Sequence, residues 1–307
     1  MYRKLNIKIL AIIFSILMIV VVLTEMADSR KGGRTFREEL VDVSPDEVTS
    51  LEISPKVEGN KVIKLLKEND SWFVESGDKR HRADPSLPSA MINELNSMKP
   101  ESVVATGDER RVQYEVTDSL GTRVKLFSGN NLLADLIIGK FSFSQPQKMT
   151  SYIRLEGDKV IYGVDGMLGM SFNRNVDSFR DKTVIKSNSS DWSRLVYKYP
   201  ADSSFTLEKA AEGWTVNGQP ADSASVAEYF SAIRNLSDSR FAENKTGMSV
   251  THSLLIEGNN DMEKVEINGY YQEDGVFMVE SSQNRGNIFE STELAEKIFI
   301  SSSSLLE

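Results

Sequence analysis

One hairpin occurs twice in this chain, and that repetition limits the possible folds more than any other feature. Ile63, Leu65, Lys67, Trp72 and Val74 return 142 residues later as Phe205, Leu207, Lys209, Trp214 and Val216, with character or identity kept at each position. Apolar residues at a period of two mark a half-buried strand. Glu68-Asn69-Asp70-Ser71, between the two apolar runs, has the composition of a tight turn. Each hairpin is followed by Ala-Asp, as Ala83-Asp84 and Ala221-Asp222. Apolar residues then fall 7, 8, 11 and 14 positions beyond the Asp: Met91, Ile92, Leu95 and Met98 in the first copy, Tyr229, Phe230, Ile233 and Leu236 in the second. This is one face of an α-helix, for which Asp is a good N-cap and Pro85 suits the first helical position.

The match extends further. Leu51 and Ile53 form a strand ahead of the first hairpin; Val124 and Leu126 align with Val265 and Ile267, and a strand near Tyr152–Leu155 aligns with Phe277–Val279. A second helix is expected around Leu168–Phe172 and again around Leu294–Phe299. A period near 140 residues is too long for a solenoid unit and suits a duplicated domain. The expected fold is therefore α+β: two tandem modules of mainly antiparallel strands with helices packed on them. Ala134–Thr150 has no partner in this alignment and reads as an elaboration of module 1, a kind of segment that often carries function.

Leu5–Leu23 (LNIKILAIIFSILMIVVVL) is long enough as a helix, at about 1.5 Å per residue, to span the hydrocarbon core of a bilayer. A cleaved signal peptide is the rival reading. Cleavage after Ala27 would put Glu25 at −3, where a small residue is wanted, so a retained anchor is favoured. Arg3, Lys4 and Lys8 precede its uninterrupted apolar part, Ile9–Leu23, and Arg30, Lys31, Arg34 and Arg37 follow it, so charge does not fix the orientation. The N-terminus is placed inside because a long domain after a leading span is exported largely regardless of charge. The organisation is then residues 1–27 anchor, 28–44 juxtamembrane linker, 45–178 module 1, 179–190 junction and 191–307 module 2. A single pass in the inner membrane, with both modules on the periplasmic side, is the expected location.

A net charge of −9 opposes nucleic-acid binding, which rests on clustered Lys and Arg. With no cysteine and two histidines, thiol chemistry is absent and most histidine-based hydrolytic or metal sites have too few residues. There is no P-loop, G-x-G-x-x-G, H-E-x-x-H or G-x-S-x-G, and no acid among the 45 stands in a distinctive motif. No enzyme activity, catalytic residue, cofactor or metal is expected. Trp72 and Trp214 serve as caps of their cores more readily than as ligand platforms, and Asp84 and Asp222 as helix caps more readily than as paired acids. His81, among Lys79, Arg80 and Arg82, reads as a solvated turn, and His252 as structural. Arg180-Asp181-Lys182 has two open readings, a bridge between modules or a solvated linker; its neighbours Phe179, Val184 and Ile185 need burial.

Lys-x4-Trp, Ala-Asp before a helix, and Phe179-Arg180-Asp181-Lys182-Thr183-Val184 between the modules together resemble a bacterial family, domain of unknown function 4340. The resemblance covers nearly everything after the anchor. It implies one membrane span, an exported region, association with ABC transporters of the gliding-motility type, and no catalytic residues to carry over. The expected function is a binding or scaffolding accessory subunit with transporter subunits as partners. The alternative is a ligand-binding protein with a groove between the modules and Phe141, Phe143 and Tyr152 as a lid. Phe141, Phe143, Tyr152, Arg180, Asp181 and Lys182 are the candidate interaction residues.

Overall fold

A computed structural model describes Met18 and residues 37–144, 148–243, 247–259, 261–271 and 275–306. Apart from Met18, the anchor expected over Leu5–Leu23 lies outside the described residues, as does part of the linker. Among the described residues no helix is long and apolar enough to cross a membrane.

Module 1 is built on a nine-stranded antiparallel sheet whose chain path winds out from the middle. β1 (Ser50–Ser54), β2 (Ile63–Glu68), β3 (Ser71–Ser76) and β4 (Lys79–Arg82) step to one edge. Helix α1 (Leu87–Ser97) leads to the opposite edge, where β5 (Pro100–Thr106) lies. β6 (Thr122–Ser128) returns beside β1, and β7 (Asn131–Ser144), β8 (Lys148–Leu155) and β9 (Val160–Asp165) fill the sheet up to β5. The order is β4-β3-β2-β1-β6-β7-β8-β9-β5, and the short helix α2 (Gly169–Phe172) follows.

Alternation decides which face is dry. Leu51, Ile53, Leu65, Val74, Val124, Leu126 and Leu136 point to one side, where Met91, Ile92 and Leu95 of α1 and Phe172 of α2 complete the core. Leu40, Val41 and Val43 are buried in the same core, and Asn96 ties them down by accepting from Val43 N at 3.1 Å and donating to Val43 O at 2.7 Å. The other face has only a satellite cluster of Val116, Ile137 and Ile161, with Tyr114 and Tyr152 against it. Gly139 allows this: a β-carbon there would stand 2.2 Å from the Tyr114 carbonyl oxygen.

After β10 (Thr183–Lys186), module 2 repeats the plan. β11 (Trp192–Lys198), β12 (Phe205–Ala210), β13 (Gly213–Val216), β14 (Gln219–Pro220) and helix α3 (Ser223–Ile233) correspond to β1 through α1. β15 (Asn235–Ser237) pairs with β10, and an isolated bridge from Phe241 to Phe289 continues the edge that β5 forms in module 1. β16 (His252–Gly258), β17 (Val265–Tyr271), β18 (Phe277–Ser281) and β19 (Ile288–Glu290) complete the sheet, and helix α4 (Thr292–Ile298) closes its core. The order β14-β13-β12-β11-β16-β17-β18-β19 matches module 1 from β4 to β9, with the Phe241 bridge in the place of β5. The shared hairpin has one register: Lys67 faces Trp72 and Leu65 faces Val74, as Lys209 faces Trp214 and Leu207 faces Val216. Asn69 and Asp70 make the first turn with φ of 47° and 62°, a left-handed pair that Asn and Asp tolerate.

Three expectations are corrected. Val124 and Leu126 pair with Ile53 and Leu51, so their counterparts are Leu254 and Ile256 on β16, which pair with Tyr197 and Leu195; Val265 and Ile267 lie one strand further on. Ala134–Thr150 is not wholly unmatched. Leu136 and Ile138 occupy the places of Ile267 and Gly269, and what module 1 adds is the outer end of the β7–β8 hairpin. Asp222 caps α3 by accepting from Ser225 N at 2.7 Å, whereas Asp84 sits two residues before the N-cap. Its Oδ1 accepts from Ser86 N and Oγ, Ser86 is the N-cap of α1, and Pro85 lies before the helix.

Candidate functional site

Two features stand out once the cores are assigned: a buried polar junction and an exposed apolar hairpin end. Phe179 belongs to the module 1 core, and Val184 and Ile185 to that of module 2, so the residues between them are drawn into the seam. Residues 180 and 181 run along the end of β4, with a bridge between Ala83 and Arg180, Asp84 N donating to Phe179 O at 3.0 Å and Asp181 N to Arg82 O at 2.9 Å. Arg180 and Asp181 are only 4% and 7% exposed.

The Arg180 guanidinium donates from Nε to Asn287 Oδ1 at 2.9 Å and from Nη1 to Asp177 Oδ1 at 3.0 Å, and lies 3.8 Å from the centre of the Phe241 ring. Asn287, fully buried, donates to Arg82 O (3.0 Å), Asp181 O (3.2 Å) and Asn284 Oδ1 (2.8 Å). Asn284 donates to Asp181 O and Thr183 O. Lys79 pairs with Glu243 across the seam. Polar groups cut off from water are thus met from the opposite module, with Arg180 Nη2 alone in this network left without a partner among the described residues. Lys182 points away, exposed beside a polar pocket lined by Asp238, Arg240 and Glu293.

His81 reaches the same seam, its Nδ1 3.3 Å from Gly286 O. Burial, and then the Arg180 charge, lower its pKa below the ordinary value; Lys79 adds to this, while the Gly286 carbonyl and Asp177 oppose it. His252 is lowered by burial as well. A group that is more basic unfolded than folded favours the folded state fully above its unfolded pKa, about 6.5, and withdraws that support as pH falls below it. The urea midpoint should therefore fall between pH 7.5 and 5.5, and His81→Asn should reduce the fall; an unchanged pH slope in that variant would remove His81 from the account.

The hairpin residues separate onto two faces. Phe143 pairs with Met149 and Phe141 with Ser151, so both Phe rings and Met149 share the helix-side face. Phe141 and Phe143 are 55% and 58% exposed. Tyr152 is on the opposite face, half-buried, with its hydroxyl 2.8 Å from Ser142 Oγ and its ring 4.6 Å from Tyr114. The three are therefore not one surface. Sequence reasoning missed Met149, Met170, Phe241, Asn284 and Asn287; period-two alternation through Met149 was the available signal for the first, whereas the polar run at 281–287 resembles any solvated turn.

A further groove, about 740 Å³, lies where residues 40–43 cross the ends of β7 and β8, but three of its acids are engaged: Arg123 holds Asp135 at 2.7 Å, Arg154 holds Glu156 at 3.1 Å, and Tyr162 donates to Asp158. Among the described residues no group of three or more His, Asp or Glu could hold a metal. These features define a duplicated α+β protein whose modules are fixed by a buried polar junction. The chain belongs to the DUF4340 family, described as a domain of unknown function, whose family model matches residues 72–252. That span runs from the second strand of one shared hairpin, through the junction, to the start of β16, a narrower region than everything after the anchor. No curated protein and no solved structure matches the chain.

Proposed function

We propose that the chain is a non-catalytic, membrane-anchored accessory subunit that holds its two modules on the periplasmic side of the inner membrane and presents the β7–β8 hairpin to a protein partner. Subunits of an ABC-type transporter are the partners this reading assigns. The observation that carries it is the exposed Phe141–Phe143–Met149 face, an apolar patch of the kind that marks interaction sites, on a module braced against its twin. The junction supports a scaffolding role by fixing the angle between modules. An aromatic ligand groove at the seam is less well supported, since polar side chains fill that place. No hydrogen bond or ion pair among the described residues joins the hairpin to module 2.

Cross-linking in cells followed by purification of the tagged chain should recover a transporter ATPase and permease. Phe141→Asp with Phe143→Asp should lower the yield at least about tenfold, as for the loss of an aromatic hot spot. Recovery of the chain alone, or equal recovery by the double variant, would refute this reading.

A further inference from the structure

The duplication provides an internal comparison at one corner of the sheet. Strand register equates Thr122 with His252, Ile138 with Gly269, Phe141 with Tyr271 and Ser151 with Phe277; counting on from β1 and β11 equates Pro55 with Tyr199. In module 2 the protein fills this corner with its own rings. The His252 ring lies 5.1 Å from Tyr199, 5.2 Å from Phe277 and 5.5 Å from Phe299, centre to centre. The packing is close enough that a β-carbon on Gly269 would meet both Phe277 and Phe299 at 2.7 Å.

Module 1 has Pro55, Thr122 and Ser151 in place of three of those rings, and only Ile138, opposite Gly269, returns volume. A mainly apolar pocket of about 440 Å³ remains, with Thr122, Ile138, Phe141, Gly169 and Met170 in its wall. Ordinary ligand sites occupy roughly 300–1,000 Å³. Phe141 and Met170, both largely exposed, stand at the mouth. Lys56 is engaged by Glu115 at 2.8 Å, whereas Lys140, also lining the pocket, has no acidic partner among the described residues.

We propose that this corner of module 1 is a docking pocket for one bulky apolar side chain of a partner polypeptide, preferably aromatic and next to an acidic residue. Module 2 shows the kind of group that completes the corner: an aromatic ring from the polypeptide itself. Lys140 supplies the charge preference, and the anchor in its pocket would be the energetic centre of the contact. This deepens the accessory-subunit reading but is tested without any native partner, so either can fail while the other stands.

The test uses the full chain in lipid nanodiscs, carrying 13C-methyl methionine, titrated with N-acetyl-Asp-Phe-amide. The Met170 and Met149 methyl signals should shift saturably while Met278 in module 2 stays fixed. N-acetyl-Asp-Ala-amide should bind about 10- to 100-fold more weakly, the factor that burial of one large apolar side chain supplies. Gly169→Leu should abolish the shifts, because a β-carbon at this helix start meets nothing within 4 Å and the added side chain is free to enter the pocket. Phe141→Ser, at an exposed position, is the second variant and should weaken binding without filling the pocket. Unmoved Met170, equal binding of the Ala peptide, or unaltered titration of both variants would overturn the proposal. So would shifts produced by decanoate in place of the peptide, which would assign an acyl chain, or by raising protein concentration alone, which would assign a second copy.

Discussion

Asn287→Ala is expected to cost the folded chain about 3–5 kcal/mol and to loosen the two modules from one another. The side chain is fully buried and serves the seam at both ends, accepting from Arg180 Nε and donating towards Arg82 O, Asp181 O and Asn284 Oδ1. Truncation would strand a buried guanidinium nitrogen on a residue whose Nη2 already lacks a partner among the described residues. Stranding a buried charge costs more than removing it. Arg180→Met should therefore be milder: Asp177 is half exposed and can return to water, and a Met side chain keeps contact with Phe241. Asn287→Asp restores an acceptor for Arg180 but places oxygen against two backbone carbonyls and the Asn284 amide oxygen that had received a donor, so its cost should fall between the other two. Urea unfolding gives the ranking, and limited proteolysis within 179–190 reports the loosening. A loss under about 1 kcal/mol for Asn287→Ala, the size of one ordinary hydrogen bond, would mean that this network does not hold the junction.

The parts of the fold legible in the sequence are those governed by periodicity. The shared hairpin was readable because Leu65, Trp72 and Val74 alternate about a turn of Asn69 and Asp70, and the same alternation recurs at Leu207, Trp214 and Val216. Matching strands beyond it failed by one strand, because β16 and β17 alternate with the same period of two, and periodicity cannot distinguish neighbours of equal pattern. The extended hairpin was hidden for a related reason. Module 1 has a longer connection between its helix and β6, which already changes the offset before Leu136 and Ile138, and the pairing shift between Ile138 and Phe141 changes it again; a constant offset therefore loses these residues although their places in the sheet are kept.

The candidate sites divide in the same way. Phe179, Val184 and Ile185 announced a buried junction because apolar residues on either side of Arg180-Asp181-Lys182 needed cores. Its partners Asn284 and Asn287 could not be foreseen, since a polar turn at 282–287 carries no sign of whether water or another module satisfies it. Phe141 and Phe143 were recognisable as aromatic residues in an addition to module 1. Tyr152 was grouped with them because sequence proximity does not say which face a strand residue takes when the pairing slips.

Trp192→Ala should destabilise module 2 by about 3–5 kcal/mol, the range for deleting a fully buried aromatic side chain. Trp192 has no exposed surface, donates from Nε1 to Ser187 Oγ at 2.9 Å, and meets Phe230 edge-on at 4.8 Å. Phe230 is shared with Trp214, which approaches it at 4.9 Å, so the cavity would also remove support from the repeated hairpin. Counting back along the matched strands puts Val48 in the same place in module 1, where a smaller side chain closes a separate core. The loss should thus fall on one module, and the half-buried Trp214 should cost less when truncated. If the Arg180–Asn287 network couples the modules strongly, Trp192→Ala lowers a single urea transition followed by both fluorescence and far-UV circular dichroism. If the cores are nearly independent, module 2 unfolds first and the two signals separate. Combining Trp192→Ala with Arg180→Met distinguishes these outcomes: separation that appears only in the double variant assigns cooperativity to the junction, and coincident transitions in both variants would show that it resides elsewhere.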